Sequence, residues 1–334
     1  MTTRTTPAPL TRRTTLTLAL ASALALTTAA CGTPEDEDTA PAGQAGPGAK
    51  GTRINLSPDQ KRVRAKKVDA IARLVPERIR SRGTLEVVAA AGTAPPLTFY
   101  ATDDKTVIGV ETDIAQLVAD VLGLKVRSHT VDWANIFVGL DSGKYDVGFS
   151  NITVTEERKE KYDFATYRLD TISFEARKGR DWKVKGAKDV VGRTIGVSSG
   201  TNQEKLLVDW SKQNVKAGRE ATDIKYFQNT SDYYLALGSG RIDAYLGPHP
   251  VAAYHAVTTG TTEIIGTFSG AGDRLQGKIA ATTKKDNGLL KALHQALEHL
   301  IDEGGYGKVL KRWGLSDEAV PSSEVNPRGL PKTS

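Results

Sequence analysis

Arg158 follows Thr153 by five residues and Asn151 by seven. A guanidinium presents a planar fork of N–H donors that matches a carboxylate, and a neighbouring hydroxyl or N–H can serve the remaining lone pairs. Taken alone, the arginine reads more simply as a charge on a surface turn. A second polar cluster, Gly200-Thr201-Asn202, opens a helical run at Gln203. Free N–H groups at such a start suit an anion or a polar group, and an ordinary N-cap would use the same residues. Trp133 is a lone tryptophan of the kind that more often fills a core. For proton transfer the available groups are Glu111, Asp132, Glu175 and His249, and no spacing pairs them. His249 and His255 are six apart, and His294 and His299 five apart. Neither is the i, i+4 placement of helical zinc ligands, so these are expected to be surface histidines. No GxxxxGK[ST] sequence is present, and no cofactor, metal or catalytic residue is expected.

The only cysteine among 334 residues is Cys31, so no structural disulfide, thiol nucleophile or cysteine-based metal site is available. Arg12 and Arg13 precede an uncharged run from Leu16 to Ala30 that ends in small residues. That is the order of a secretory signal. At about 1.5 Å per residue the run reaches only ~22 Å, short of a ~30 Å hydrocarbon core. Thr28-Ala29-Ala30-Cys31 resembles the lipobox of bacterial lipoproteins, with Thr28 where most carry leucine. The resemblance implies removal of residues 1–30, diacylation of Cys31 and a lipid anchor on the extracytoplasmic face of the cell membrane. The arginine pair is also compatible with twin-arginine export.

Charged residues make up 25% of the chain and hydrophobic ones 39%, as in globular proteins. Of the 45 basic residues, Arg4, Arg12 and Arg13 precede Cys31, and no acid does. The net charge of +6 therefore falls to +3 beyond that point (42 against 39), with no motif for nucleic acid, which is not expected as a partner. Residues 31–57 combine an acidic cluster with glycine, proline and small residues and read as a disordered tether. Residues 58–83 read as a basic segment, helical in propensity from Asp59 to Arg80 and interrupted at Pro76. From Thr84 onward strand and helix patterns alternate, with a helix expected from Asp113 to Leu122 behind an aspartate at its start. Such alternation predicts an α/β fold with parallel-rich, doubly wound sheets and ligands at the strand C-termini.

Beyond composition, an ordered series of motifs carries more weight than any single one. It runs Gly83-Thr84-Leu85, Val107 to Ile114, Ser142-Gly143-Lys144-Tyr145-Asp146, Thr153-Val154-Thr155-Glu156-Glu157-Arg158, Asp163-Phe164, Gly196 to Thr201, Gly240-Arg241-Ile242-Asp243-Ala244, and Tyr306 to Gly314. In order and spacing the series resembles the bacterial extracellular solute-binding proteins of family 3, the amino-acid-type subunits of ABC importers, over about residues 79–315. The resemblance implies a two-lobed, type II periplasmic-binding-protein-like fold whose two sheets are joined by two crossover strands. Lobe one would take residues 84–176 and 277–315, lobe two residues 177–276, leaving 316–334 as a C-terminal tail. It implies capture of a small carboxylate-bearing polar solute by a monomer, followed by delivery to ABC permease subunits. Arg158 would clamp the carboxylate with Asn151 and Thr153, Trp133 would stack on the ligand, and Thr201 and Asn202 would meet it from lobe two.

Pro248 departs from that pattern. The family places an aspartate there, facing the ligand's ammonium. Ala89, Ala90 and Ala91 also offer no acid at the end of the first strand, and Thr93 or Ala94 stands where an aromatic is usual. Proline has neither charge nor N–H. The expected solute therefore keeps a carboxylate but differs at the amine. Two other classes use such a scaffold: a dehydratase-like enzyme, which needs an acid or base in the cleft, and a sensor's ligand-binding module.

Overall fold

The run Leu85-Glu86-Val87-Val88-Ala89 is buried on both faces, as a central strand of a parallel sheet requires. In the computed structural model, which describes residues 45–47, 53–90 and 94–332, it forms β1 (Thr84–Ala90). Cys31, Ala91, Thr93 and the leader lie outside the described residues. Helix α1 (Val110–Leu122) follows, then β2 (Lys125–Val131), α2 (Trp133–Asp141) and the short β3 (Val147–Gly148). β1 pairs in parallel with both β2 and β3. The long strand β4 (Tyr162–Arg177) then runs out of this first lobe and into the second.

Lobe two repeats the alternation: β5 (Thr194–Val197), α3 (Asn202–Lys216), β6 (Asp223–Tyr226), α4 (Thr230–Ser239), β7 (Ala244–Pro248) and α5 (His249–Thr259). β8 (Thr262–Ser269) returns along the far half of β4, and β9 (Gly277–Lys284) along its near half. The sheet order is β6-β5-β7-β4-β9-β3-β1-β2, with β8 also on β4. Helices α6 (Leu290–Asp302) and α7 (Gly305–Arg312) then complete lobe one. Its core gathers Leu85, Leu117, Ile279, Leu293 and Trp313. Phe174, Ile195, Leu207, Trp210 and Leu246 form the separate core of lobe two.

The basic stretch Asp59–Arg80 is not one helix. Only Asp69–Ala72 and Glu77–Arg82 are helical, the second starting after Pro76. Residues 59–68 instead lie along lobe one, fixed by ion pairs that outweigh a weak helical propensity. Arg62 Nη1 donates to Asp113 Oδ1 at 2.6 Å, and Arg64 grips Asp120 through two 2.7 Å bonds. Asp113 is thereby reassigned. Helix α1 starts earlier, at Val110, and the Asp113 carboxylate is buried, accepting from Arg62 and from Trp313 Nε1 at 2.8 Å.

The segment beyond Leu315 does not hang free of the body. Leu330 bridges Thr155, Val325 bridges Ala165, and Asn326 Oδ1 accepts from Phe164 N at 2.8 Å.

Between the lobes, β4 and the β8–β9 connection cross at Asp170, whose strand partner is Gly277. Gly270 passes so close there that a Cβ would lie 1.6 Å from Asp170 Oδ2 and 2.9 Å from Asn202 Nδ2. Gly238, inside α4, meets nothing within 4 Å. Denaturant unfolding is expected to show Gly270→Ala losing about 2 kcal/mol or more through overpacking. Gly238→Ala should be neutral or gain up to ~1 kcal/mol from helix propensity. Equal, small effects at both positions would disprove the close crossing.

Candidate functional site

The strands of both lobes end around one cavity of about 120 Å³. Ala90 closes β1, Ser150 and Asn151 follow β3, Ser198 follows β5, Gln228 follows β6, and Leu246 to Pro248 close β7. This is the strand-end location where open α/β sheets bind ligands. Trp133 at the start of α2, Thr201 to Gln203 at the start of α3 and Val251 in α5 complete much of the wall. Of the sequence-derived candidates, Trp133, Asn151, Thr201, Asn202 and Pro248 thus share one lining.

Arg158 and Thr153 are not part of that lining. Thr153 is fully buried, and its hydroxyl donates to Asp170 Oδ2 at 2.7 Å. The Arg158 guanidinium lies across Gly200 from the cavity, above an open depression it shares with Thr155, Glu157 and Lys161. Nη1 donates to Thr153 O at 2.9 Å and Nη2 to Gly200 O at 3.0 Å. Trp133 Nε1 donates to the same Gly200 carbonyl at 3.2 Å, joining the two lobes. The guanidinium carbon stands 5.3 Å from the Trp133 ring centre and 5.2 Å from that of Phe137, within cation–π range. Loss of hydration lowers the Arg158 pKa to about 10, against the nearby charge of Asp170, so it remains a cation at neutral pH.

At the start of α3, Thr201 Oγ1 caps the helix by accepting from Glu204 N at 3.1 Å. Asn202 points the other way, donating to Asp170 Oδ2 and to Gly270 O, both at 2.9 Å. Asp170 thus takes donors from both lobes. Burial pushes its pKa up, opposed by the Thr153 bond, the Arg168 charge and the Asn202 bond.

Asp170 and Arg168 were not singled out from the sequence. The signal was present as two charged residues within the apolar run Phe164 to Phe174, which demands buried partners. Arg168 Nη2 donates to Glu111 Oε1 at 2.7 Å and also to Asn151 Oδ1, while Nη1 donates to Glu318. Tyr167 OH donates to the second oxygen of Glu111. Asn151, held in the left-handed region at φ 52°, is therefore anchored from beneath the cavity floor.

None of Glu111, Asp132, Glu175 and His249 lines the cavity. The two histidines of lobe two are not simple surface groups. His255 Nδ1 lies 2.5 Å from Glu175 Oε1 with its ring stacked on Tyr234, and His249 Nδ1 lies 2.8 Å from Ser173 Oγ. Burial lowers the His249 pKa. Among the described residues no cluster of three or more His, Cys, Asp or Glu side chains is placed to hold a metal, and no helix is long and apolar enough to cross a membrane.

Residues 87–316 match the family described as bacterial extracellular solute-binding proteins, family 3. The L-cystine-binding protein TcyJ of Escherichia coli K12 is 32% identical over 72% of this chain and 86% of its own. An ancestral arginine-binding protein, solved with arginine bound, is 30% identical, with a TM-score of 0.59, over 70% of this chain and 98% of that one. An ancestral amino acid-binding protein described as a precursor of cyclohexadienyl dehydratase is 26% identical over 71% of this chain and 98% of its own, with a TM-score of 0.60.

Glu318 lies just beyond the matched residues. One guanidinium serves two buried carboxylates there, so the second charge is left uncompensated, and burial pushes the Glu318 pKa up to about 7. Between its ordinary value of 4.5 and about 7, the folded protein holds a proton that the unfolded chain has released. This contribution to stability is therefore complete at low pH and is lost as pH rises through that window. Melting curves from pH 5 to 8 are expected to show wild type losing stability relative to Glu318→Gln as pH rises. A constant difference between the two would rule out a raised Glu318 pKa.

Proposed function

The chain belongs to the bacterial extracellular solute-binding proteins of family 3, and from that premise we propose that it is the lipid-anchored substrate-binding subunit of an ABC importer. Its substrate is a small carboxylate-bearing solute, an amino acid or a derivative of one. The observation that carries this reading is the cavity that both lobes line at their strand C-termini, with Trp133, Asn151, Thr201, Asn202 and Pro248 around it. Two lobes joined at one strand crossing can open to load the solute and close over it before passing it to a permease.

Arg158 is the proposed carboxylate partner. It is a cation at neutral pH whose guanidinium, among the described residues, hydrogen-bonds to two carbonyls, those of Thr153 and Gly200. Exchanging the Gly200 contact for a carboxylate replaces a neutral acceptor by a charged one, which strengthens the bond. The same exchange frees a carbonyl that now joins the lobes, so ligand and lobe contact compete for one guanidinium. The capture reading is favoured over an enzyme on this scaffold because none of the candidate acids and bases lines the cavity. Mass spectrometry of solute recovered unchanged after incubation separates the two.

In calorimetric titrations of free amino acids and their N-substituted derivatives, Arg158→Ala is expected to weaken the best binder about thirtyfold or more, ~2 kcal/mol. Native affinity in that variant would remove the carboxylate assignment. For the anchor, Thr28-Ala29-Ala30-Cys31 supports lipidation at Cys31. Cys31→Ala is expected to shift the protein from the membrane fraction to the soluble one. Unchanged membrane retention would refute the lipoprotein reading.

A further inference from the structure

No residue lining the cavity is an aspartate, glutamate, lysine, arginine or histidine. Pro248 is in the wall, and Gly247 beside it adds no side chain. The buried acid Asp170, which touches the lining residue Asn202, is already engaged with Thr153 and Asn202 and feels the charges of both Arg168 and Arg158. An ammonium entering here would give up its water without gaining a carboxylate. A charge left buried and unpaired in this way is strongly unfavourable.

What the wall does offer is neutral hydrogen-bonding capacity. Gln203, in the first turn of α3, is 4% exposed and makes no side-chain hydrogen bond among the described residues. Its amide keeps a donor pair and an acceptor for whatever fills the cavity. Gln228, after β6, is exposed and likewise without such a bond, at the rim. Both stand with Pro248 at the strand C-termini of lobe two. The aromatic residues there are partly used up, since Tyr233 and Tyr245 stack on each other with centres 3.6 Å apart and planes 7° off parallel. Each covers one face that a cation would otherwise use.

We propose that the cavity selects amino-acid derivatives whose nitrogen is neutral, of the N-acyl or lactam class, and that the Gln203 amide reads that group. An amide N–H and C=O pair matches the acceptor and donor of a glutamine side chain and carries no charge to bury. This rests on the amino-acid-type binding reading given above and adds the state of the nitrogen to it.

The test titrates the mature full-length protein with matched pairs: L-pyroglutamate against L-glutamate, and N-acetyl-L-alanine against L-alanine. N,N,N-trimethylglycine serves as a permanently charged control. The neutral-nitrogen member is expected to bind at least tenfold tighter in one pair or both. Gln203→Leu, which keeps bulk and helix propensity, should cut that preference at least fivefold, and Pro248→Asp should reverse it. Free amino acids binding as tightly as their neutral partners, or trimethylglycine binding tightest, would overturn the proposal while leaving the amino-acid-type reading in place. Failure of every probe on both wild type and Pro248→Asp would remove that reading, and this proposal with it.

Discussion

A carboxylate buried at the crossing of two strands is the constraint on which the two-lobed arrangement turns. Asp170 sits where β4 leaves one lobe for the other, and water cannot reach it to stabilise a charge. Stranding such a group without donors costs several kcal/mol, so its partners are not optional. Thr153 supplies one from lobe one and Asn202 another from lobe two. The connection passing over it has room only for glycine at 270. Separating the lobes therefore strains the pair of bonds from Thr153 and Asn202, one from each lobe, which ties cavity geometry to the state of the crossing.

Charge around the site is arranged in layers. The inner lining is neutral, while Arg158, Arg168, Asp170, Glu111 and Glu318 occupy a second layer and largely satisfy one another. Arg168 is the centre of that layer. It holds Glu111 and Glu318 and fixes the amide of Asn151, so a charged network sets the orientation of a neutral wall residue. Arg158 is the exception, a cation resting on two aromatic rings and two carbonyls. A lining without charge imposes its selectivity through which polar atoms go unpaired, a discriminator sharper than apolar fit.

Regular elements were legible in the sequence because their signals are local. The strand at Thr194–Val197 follows from a short apolar run, and α2 and α6 from helical periodicity. Five of the seven ligand-site candidates, Trp133 and Pro248 among them, share one lining because motif order tracks strand ends. Failures came where distant partners decide. Asp59 to Val68 has helical composition, yet Asp113 and Asp120 on α1 hold it in non-helical form. Nothing near Glu318 in sequence marks it as a core residue, since its partner stands 150 positions earlier. In sequence Gln203 only marks the opening of a helix, its free amide being visible once the cavity walls are assembled.

The strand crossing also fixes an order of events during synthesis. Lobe two lies in one continuous stretch of chain, whereas the near half of β4 pairs with β9, matching Tyr162 to Lys284 and Asp170 to Gly277. A chain growing from its N-terminus therefore completes β5 to β8 while that half of β4 still lacks its neighbour. Until β9 emerges, the near half of β4 lacks the strand that joins it to the sheet of lobe one, and Arg168 and Asp170, two charges destined for burial, lie along it. Charged residues on an uncovered strand are a general device against pairing with a foreign edge, so the residues that later hold Asn151 and Asn202 also suit that interval.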